Sequence, residues 1–265
     1  MRKGRVFASS DWHGCGVPAK KLLDYLQPED TLYFLGDSID RGEDGIELMN
    51  LLKNRPNTYY IMGNHEKMML DCVPNIINDI IALGAWEMFG YDANLWFHNG
   101  GYKTYKKIED ADVSTFVEYR KFLSSMPKRM VYDSPRGHKV ILEHAGSTPW
   151  LVKDQHYDPL WDRAHFTDKF TPNGENLYVV HGHTPVQYLQ YEYDYNGKRT
   201  EITEKEMEER CNWMSGYDLS ADFPKPEVIR YCEGHKFDID MCTIVSNRVA
   251  LLDLDTFETF YFDKK

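Results

Sequence analysis

The chain repeats one local arrangement, in which a short apolar run of β-strand character ends directly on polar side chains that can bind a divalent cation. Val6–Ser9 shows the pattern first, because it opens onto "SDWHG". Five such positions occur, and their candidate ligands are Asp11 and His13, then Asp37, then Asn64, then Glu143 and His144, and finally His181 and His183. In open α/β sheets, ligands bind beyond the carboxyl ends of the strands. The repetition therefore predicts an α/β fold whose strand ends share one site.

The spacing of the first three positions predicts how their strands pair. Asp37 follows Asp11 by 26 positions and Asn64 follows Asp37 by 27, and each interval holds one amphipathic helical segment and one strand. This length is typical of a βαβ unit, whose crossover is right-handed and whose strands are parallel. The first three strands are therefore predicted to be parallel, with their carboxyl ends at one edge of a sheet.

The length of the chain favours one domain. A chain of 265 residues with 42% hydrophobic content is long enough for one large α/β core, and we expect a single domain over residues 1–265. Residues 67–130 read as a helical, aromatic-rich segment beside the site, and residues 237–262 as closing antiparallel strands. Residues 190–236 are polar, charged and interrupted by glycine and proline, which predicts an inserted excursion or lid rather than a second domain.

The charge and the cysteines limit the partners and the compartment. The formal net charge is −11, so neither nucleic acid nor an acidic membrane surface is expected as a partner. The five cysteines are widely spaced and form no CxxC pair, which favours a reducing compartment. The sequence has no 18-residue apolar stretch and no apolar leader at its N-terminus. We therefore predict no membrane span, no signal peptide and a cytoplasmic location.

The candidate ligands favour a pair of metal ions. They combine carboxylate, amide and imidazole groups, and they are Asp11, His13, Asp37, Asn64, His144 and His183. This set exceeds the need of one tetrahedral zinc ion and suits two divalent ions that share a carboxylate, with Asp37 as the expected bridge. Two-metal sites of this kind hydrolyse phosphoesters, so the chemistry predicts a hydrolase. Mn²⁺ is the first choice for the metal, and Fe and Zn²⁺ also suit these ligands.

Three residues beside the ligands are candidates for catalysis. His65 adjoins Asn64 and is the expected general acid, which protonates the leaving oxygen. Asp40 follows the bridging Asp37 closely and is predicted to orient His65. Arg41 is predicted to clamp the phosphate with its planar fork of donors.

Five motifs together, "DWHG", "GDSIDRG", "GNHE", "HAG" and "GHTP", resemble the phosphoprotein phosphatase family of calcineurin-like metallophosphoesterases, particularly its bacterial and phage members. The resemblance implies the calcineurin-like metallophosphoesterase fold, a central β-sandwich flanked by helices in α/β/β/α layers. It implies a first metal ion on Asp11, His13 and Asp37. It also implies a second ion on the ligands Asp37, Asn64, His144 and His183.

The resemblance also implies catalytic roles and a substrate. His65 and Asp40 match the general-acid pair of the family, and Arg41 matches a phosphate-binding arginine. Arg163, in "LWDR", looks like a second one. The implied substrate is a phosphoprotein or a small phosphorylated molecule, with phosphoserine and phosphothreonine in proteins preferred.

One departure from the family leaves an alternative open. Protein phosphatases of this family usually have arginine directly before "GNHE", where this chain has Met62. The symmetrical diadenosine tetraphosphatases also have an aliphatic residue there, but they usually have alanine in place of Asp40, aspartate in place of Glu66, and no "GHTP". A third alternative is a catalytically silent binding module, which the complete ligand set and His65 argue against.

Overall fold

The computed structural model describes residues 4–72, 91–146, 158–163, 176–186, 191–193, 199–201 and 225–265. The strands in these ranges are β1 (Val6–Ser9), β2 (Thr31–Phe34), β3 (Thr58–Tyr60), β4 (Arg129–Asp133), β5 (Lys139–Glu143), β6 (Leu177–His181), β7 (Tyr191–Tyr193), β8 (Arg199–Glu201), β9 (Ile229–Tyr231), β10 (Lys236–Asp238), β11 (Arg248–Asp253) and β12 (Thr259–Asp263). The helices are α1 (Gly16–Tyr25), α2 (Gly45–Asn54), α3 (Asn64–Cys72), α4 (Tyr91–His98), α5 (Tyr102–Ile108), α6 (Val113–Ser124) and α7 (Thr243–Ser246).

The first sheet has the strand order β12-β11-β1-β2-β3. β1, β2 and β3 are parallel, and Phe7 on β1 lies opposite Leu32 on β2. The prediction of parallel strands joined by helical crossovers is therefore confirmed. β11 pairs antiparallel with both β1 and β12, as predicted for the end of the chain.

The second sheet has the strand order β4-β5-β6-β10-β9. β5, β6 and β10 are parallel, while β4 and β9 are antiparallel edge strands. β10 was expected among the antiparallel closing strands, but only its pairing with β9 is antiparallel. β5 and β6 end on the predicted ligand motifs, and because they are parallel both ends lie at the same edge of the sheet.

The two sheets pack face to face through alternate side chains of their strands. Val6 and Ala8 belong to the apolar cluster that also contains Val140 and Val180 of the second sheet. Phe7, between them in sequence, belongs to the cluster that contains apolar residues of α1, α2, α3, α4 and α6. This alternation follows from the twofold side-chain period of a strand. The described residues thus form a helix layer and two sheet layers of the expected sandwich.

The predicted excursion over residues 190–236 is described only in part. β7 and β8 form a two-stranded antiparallel sheet, and β9 is an edge strand of the second sheet. Residues 202–224 lie outside the described residues, so the predicted lid and the single domain over residues 1–265 stay predictions. No helix in the described ranges is long and apolar enough to cross a membrane.

Candidate metal centre

The six predicted ligands lie directly after the parallel strands of the two sheets. Asp11 and His13 follow β1, Asp37 follows β2, and Asn64 begins α3 after β3, while the other two, His144 and His183, follow β5 and β6. All six are buried, and the most exposed of them, His183, has a relative exposure of 7%. The sandwich therefore brings side chains from five separate motifs to one buried place.

The first group of ligands surrounds His13. Its Nε2 lies 3.8 Å from Oδ1 of Asp11 and 3.7 Å from Oδ2 of Asp37. Its Nδ1 lies 3.2 Å from the carbonyl oxygen of Ile39 and donates to it. The lone pair of Nε2 therefore faces two carboxylates, and a cation between them would satisfy all three groups. Nε2 of His65 lies close by, 3.8 Å from Oδ2 of Asp37.

The second group of ligands surrounds the amide of Asn64. Its Oδ1 lies 2.8 Å from Nε2 of His144 and 3.1 Å from Nδ1 of His183. Nδ1 of His144 donates to the carbonyl oxygen of Leu35 across 2.7 Å, so the lone pair on its Nε2 points at Asn64. The same Nε2 lies 3.5 Å from Oδ1 of Asp37. Asp37 therefore lies near both groups, one with each carboxylate oxygen, which is a position from which a carboxylate can bridge two ions.

Unpartnered buried atoms show that the site fits metal ions. Oδ1 of Asp11 and Nε2 of His183 are buried and have no hydrogen-bond partner among the described residues. Buried polar groups are normally paired, and these two belong to the predicted ligand set. The donor set of carboxylate, amide and imidazole suits divalent ions. The residues present therefore fit two divalent ions that share Asp37.

Burial and neighbouring charges shift the pKa values of the predicted ligands away from their ordinary values. Burial raises the pKa of Asp11 and Asp37 well above the ordinary value, and a neighbouring carboxylate raises each further, Asp240 for Asp11 and Glu66 for Asp37. Burial lowers the pKa of His13 and His183, and it lowers the pKa of His144 to about 3. The histidines are therefore neutral, which is the form of imidazole that binds a metal ion.

The backbone of the site is strained. Six of the predicted site residues have positive φ angles, which are Asp11 (+54°), His13 (+43°), Asp37 (+61°), Asp40 (+70°), Arg41 (+62°) and His183 (+68°). Residues other than glycine rarely adopt this region, and such strain concentrates at functional sites. Beside His183, a Cβ atom at Gly182 would collide with the Asp11 carboxylate. The "GHTP" loop can therefore approach Asp11 only with glycine at this position.

The comparison with known families agrees with this geometry. A sequence model of the family described as calcineurin-like phosphoesterase matches residues 4–236. The chain belongs to this family. It is therefore a metal-dependent phosphoester hydrolase, and the resemblance seen in its motifs is confirmed, as is the calcineurin-like fold with two mixed sheets and helices.

The relatives of this phosphoesterase include proteins of two kinds. It is 29% identical over 200 residues to "Serine/threonine-protein phosphatase 2" of Salmonella typhimurium, covering 69% of this chain and 81% of that protein. It is 26% identical over 153 residues to "Bis(5'-nucleosyl)-tetraphosphatase, symmetrical" of Wigglesworthia glossinidia brevipalpis, covering 54% of this chain and 46% of that protein. The match therefore spans less than half the length of this tetraphosphatase.

Solved structures in both groups share the fold. A putative diadenosine tetraphosphatase superposes with a TM-score of 0.53 at 18% identity, over 98% of this chain and 93% of the other. A Saccharomyces cerevisiae serine/threonine phosphatase with similarity to human PP5 superposes with a TM-score of 0.51 at 13% identity, over 98% and 80%. At these identities the likeness establishes the fold of the phosphoesterase and leaves its substrate open.

The predicted catalytic residues of the phosphoesterase lie beside the ligands. Nδ1 of His65 donates to Oδ2 of Asp40 across 2.6 Å, and both side chains are fully buried. Arg41 donates to Nε2 of His13 and to Nε2 of His65, each across 3.0 Å. Arg163 is exposed and donates from Nε to the Thr184 hydroxyl across 3.1 Å, next to His183. Arg41 therefore lies within the site, and Arg163 lies at its rim.

Glu66 supports the backbone of the loop that carries Asp37, a role that was not predicted from the sequence. Its Oε2 accepts the backbone N–H of Asp37 across 2.7 Å, and its Oε1 accepts the backbone N–H of Ser38 across 2.9 Å. The Tyr60 hydroxyl donates to the same Oε1 across 2.7 Å. The sequence showed Glu66 as the last letter of "GNHE" and as a difference from the tetraphosphatases. No local rule connects it with a loop 29 positions upstream.

Proposed function

We propose that this phosphoesterase hydrolyses phosphomonoesters and acts as a protein serine/threonine phosphatase. The observation that carries the proposal is the buried contact of 2.6 Å between Nδ1 of His65 and Oδ2 of Asp40. The alkoxide that leaves from phosphoserine or phosphothreonine is strongly basic and needs a proton from a positioned acid. A dinucleoside tetraphosphate releases a phosphate oxygen, which is weakly basic and leaves without one. The buried pair of His65 and Asp40 can supply this proton. The pair therefore favours a phosphomonoester over a dinucleoside tetraphosphate as the substrate.

The comparisons support the same choice. The match to the Salmonella typhimurium serine/threonine phosphatase covers 81% of that protein, whereas the match to the Wigglesworthia tetraphosphatase covers 46%. If this chain shares the type of substrate of that phosphatase, its substrate is a phosphorylated protein. The proposed partner is therefore a phosphoprotein, with small phosphorylated molecules as further substrates.

The ligand assignment is part of the proposal. Asp11, His13 and Asp37 would hold one ion, and the other would bind to Asp37, Asn64, His144 and His183. Mn²⁺ is the proposed metal, because it suits the carboxylate and amide oxygens, and Fe and Zn²⁺ are alternatives that suit the imidazoles. When bound, the two ions supply Lewis-acid chemistry and lower the pKa of the attacking water.

The remaining residues bind the phosphate and move a proton. Arg41 would turn its fork of donors from the two imidazoles to the phosphate oxygens, which carry more charge and attract it more strongly. Arg163, at the rim, would provide the second guanidinium. Nε2 of His65 would then be free of Arg41 and could carry the proton that passes to the leaving oxygen, while Asp40 holds the opposite side of the ring.

A second candidate is the hydrolysis of dinucleoside tetraphosphates. Met62 favours it, because the family's protein phosphatases usually have an arginine at this position. The Met62 side chain is buried, and its backbone N–H donates to the carbonyl oxygen of Pro127 across 2.9 Å. This position therefore offers no charge to a phosphate.

The test is a paired assay of one metal-stripped preparation refilled with Mn²⁺. Phosphate release from a phosphoserine or phosphothreonine peptide is measured beside the cleavage of diadenosine tetraphosphate, with Asp37→Asn as the inactive control. Preference for the peptide supports the proposal. Preference for the dinucleotide would overturn it in favour of the second candidate. Inactivity on both substrates, with two ions bound, would count against both.

A further inference from the structure

The Asp40 carboxylate has a second donor besides His65. Nε1 of Trp96 donates to Oδ2 of Asp40 across 2.8 Å, and this is the same oxygen that accepts from Nδ1 of His65. The other oxygen, Oδ1, is buried and has no hydrogen-bond partner among the described residues. Two donors from α3 and α4 therefore fix the direction in which the carboxylate points.

The position of the Trp96 indole is fixed by the turn between α4 and α5. The side chain is fully buried and stacks against Phe97 with the ring centroids 5.8 Å apart. The backbone N–H of Gly101 donates to the carbonyl oxygen of Trp96 across 2.9 Å. A Cβ atom at Gly101 would collide with the indole at Cδ1 and Nε1. The turn has room for this ring only because position 101 is glycine.

The same segment also holds the main chain of the loop that carries Asp40. The Asp40 backbone N–H donates to the Thr104 hydroxyl across 2.9 Å, and the Arg41 backbone N–H donates to the carbonyl oxygen of Gly100 across 3.0 Å. Asp40 and Arg41 both have positive φ angles. A strained loop of this kind keeps its conformation only when its surroundings fix it. The turn between α4 and α5, together with α5 itself, supplies those contacts.

We propose that Trp96 and Thr104 are positioning residues, which hold the carboxylate and the backbone of Asp40 so that His65 is aligned for proton transfer. This inference rests on the proposed function, because only a reaction that needs an acid depends on that alignment. Neither residue is expected to touch the substrate. Their loss should therefore reduce turnover selectively where the leaving group is basic.

The test compares leaving groups. Trp96→Phe keeps an aromatic ring and removes the donor. The ratio of kcat/KM on phenyl phosphate to kcat/KM on p-nitrophenyl phosphate should fall about 10-fold, which is the smallest effect usual for the loss of a contact behind a functional side chain.

Trp12→Phe is the matched control, because Trp12 is also fully buried and donates to the Ser9 hydroxyl across 2.8 Å. The control should keep the wild-type ratio. An equal loss on both substrates in Trp96→Phe would overturn the proposal.

A second pair of variants covers the case in which Trp96→Phe does not fold. Thr104→Val removes the hydroxyl that accepts from Asp40 and should lower the same ratio, whereas Thr104→Ser should restore it. Failure of serine to restore the ratio, with valine and serine equally impaired, would indicate a packing role and overturn the proposal.

An NMR measurement separates this inference from the proposed function. The indole N–H resonance of Trp96, assigned by its loss in Trp96→Phe, should move upfield in Asp40→Ala. An unmoved resonance would overturn the positioning role whether or not the enzyme is active. A wild-type enzyme that is inactive on monoesters would count against the proposed function alone, and the ratio would then be measured on aryl-substituted diesters.

Discussion

Glu66 accepts the backbone N–H of Asp37 across 2.7 Å, although 29 positions separate the two residues in sequence. The contact places a buried carboxylate against the loop whose side chain bridges the two groups of ligands. Asp37 has a φ angle of +61°, a conformation that this loop keeps only with such support. The geometry of the candidate metal centre therefore depends on a residue that is not itself a proposed ligand.

Glu66→Gln should weaken both the fold and the metal site. A glutamine can accept with one oxygen only, so one of the two backbone N–H groups would face an amide NH₂. We expect a loss of about 2 kcal/mol in the free energy of unfolding and about 10-fold in Mn²⁺ affinity. Urea denaturation and titration calorimetry measure the two effects. Glu47→Gln, at an exposed ion pair with Lys20, is the control and should change neither appreciably.

His65→Ala should lose most of its turnover on substrates with basic leaving groups and much less on p-nitrophenyl phosphate. The nitrophenolate leaves without a proton, so it does not need the acid. Steady-state rates on a phosphopeptide and on p-nitrophenyl phosphate give the comparison. His98→Ala, at the exposed end of α4, should keep wild-type rates on both. Equal losses on both substrates in His65→Ala would remove the assignment of His65 as the acid.

Arg41→Lys should raise the KM for phosphomonoesters by about 10-fold, because a lysine cannot reproduce the two parallel donors of a guanidinium. Arg41 uses both terminal nitrogens, since it donates to His13 and to His65. Competition by inorganic phosphate gives a second measure, and its inhibition constant should rise by the same factor. Arg136→Lys, exposed in the turn between β4 and β5, serves as the control. An unchanged KM in Arg41→Lys would exclude Arg41 from phosphate binding.

Asp37→Asn should reverse the order of thermal stability between the metal-free and metal-loaded protein. Without metal, asparagine removes a buried negative charge that lies near Glu66, so the variant should melt above the wild type. With Mn²⁺, binding to the folded state stabilises the wild type by about 2.7 kcal/mol at 100 times its Kd, and the variant should gain much less. Differential scanning calorimetry with EDTA and with Mn²⁺ tests both parts. If Mn²⁺ stabilised Asp37→Asn as much as it stabilises the wild type, this result would contradict the bridging role of Asp37.

Asp263 links stability to pH. The hydrogen bond from Arg248, together with a weaker contribution from Lys225, lowers the pKa of Asp263 to about 2 against the opposing effect of burial. Because the folded-state pKa is depressed, the ion pair stabilises the fold above the ordinary pKa, and this stabilisation is lost as the pH falls towards 2. Because solvent screens this surface ion pair, Asp263→Asn should cost about 1 kcal/mol near pH 7 and progressively less below pH 4. Urea denaturation at several pH values measures the trend, with Asp133→Asn as an exposed control. A cost independent of pH would exclude the ion pair as its source.

Much of the fold was predictable because its signals are local. The intervals between Asp11, Asp37 and Asn64 indicated parallel strands, and β1, β2 and β3 are parallel. β10 was the exception, since the alternation of its residues marks a strand without indicating the direction of its neighbour. It pairs parallel with β6 and antiparallel with β9.

The sequence by itself determined which chemical groups this protein brings to its strand ends, because strand period, crossover length and residue type are all read locally. Only the tertiary structure decided which atoms of these groups meet and which further residues support them. Nδ1 of His183 reaches Oδ1 of Asn64 across 119 positions, and Trp96 reaches Asp40 across 56. These contacts arise from packing one sheet on another and helices on a sheet. Such packing depends on the shapes of many distant side chains at once, and no local propensity reports it.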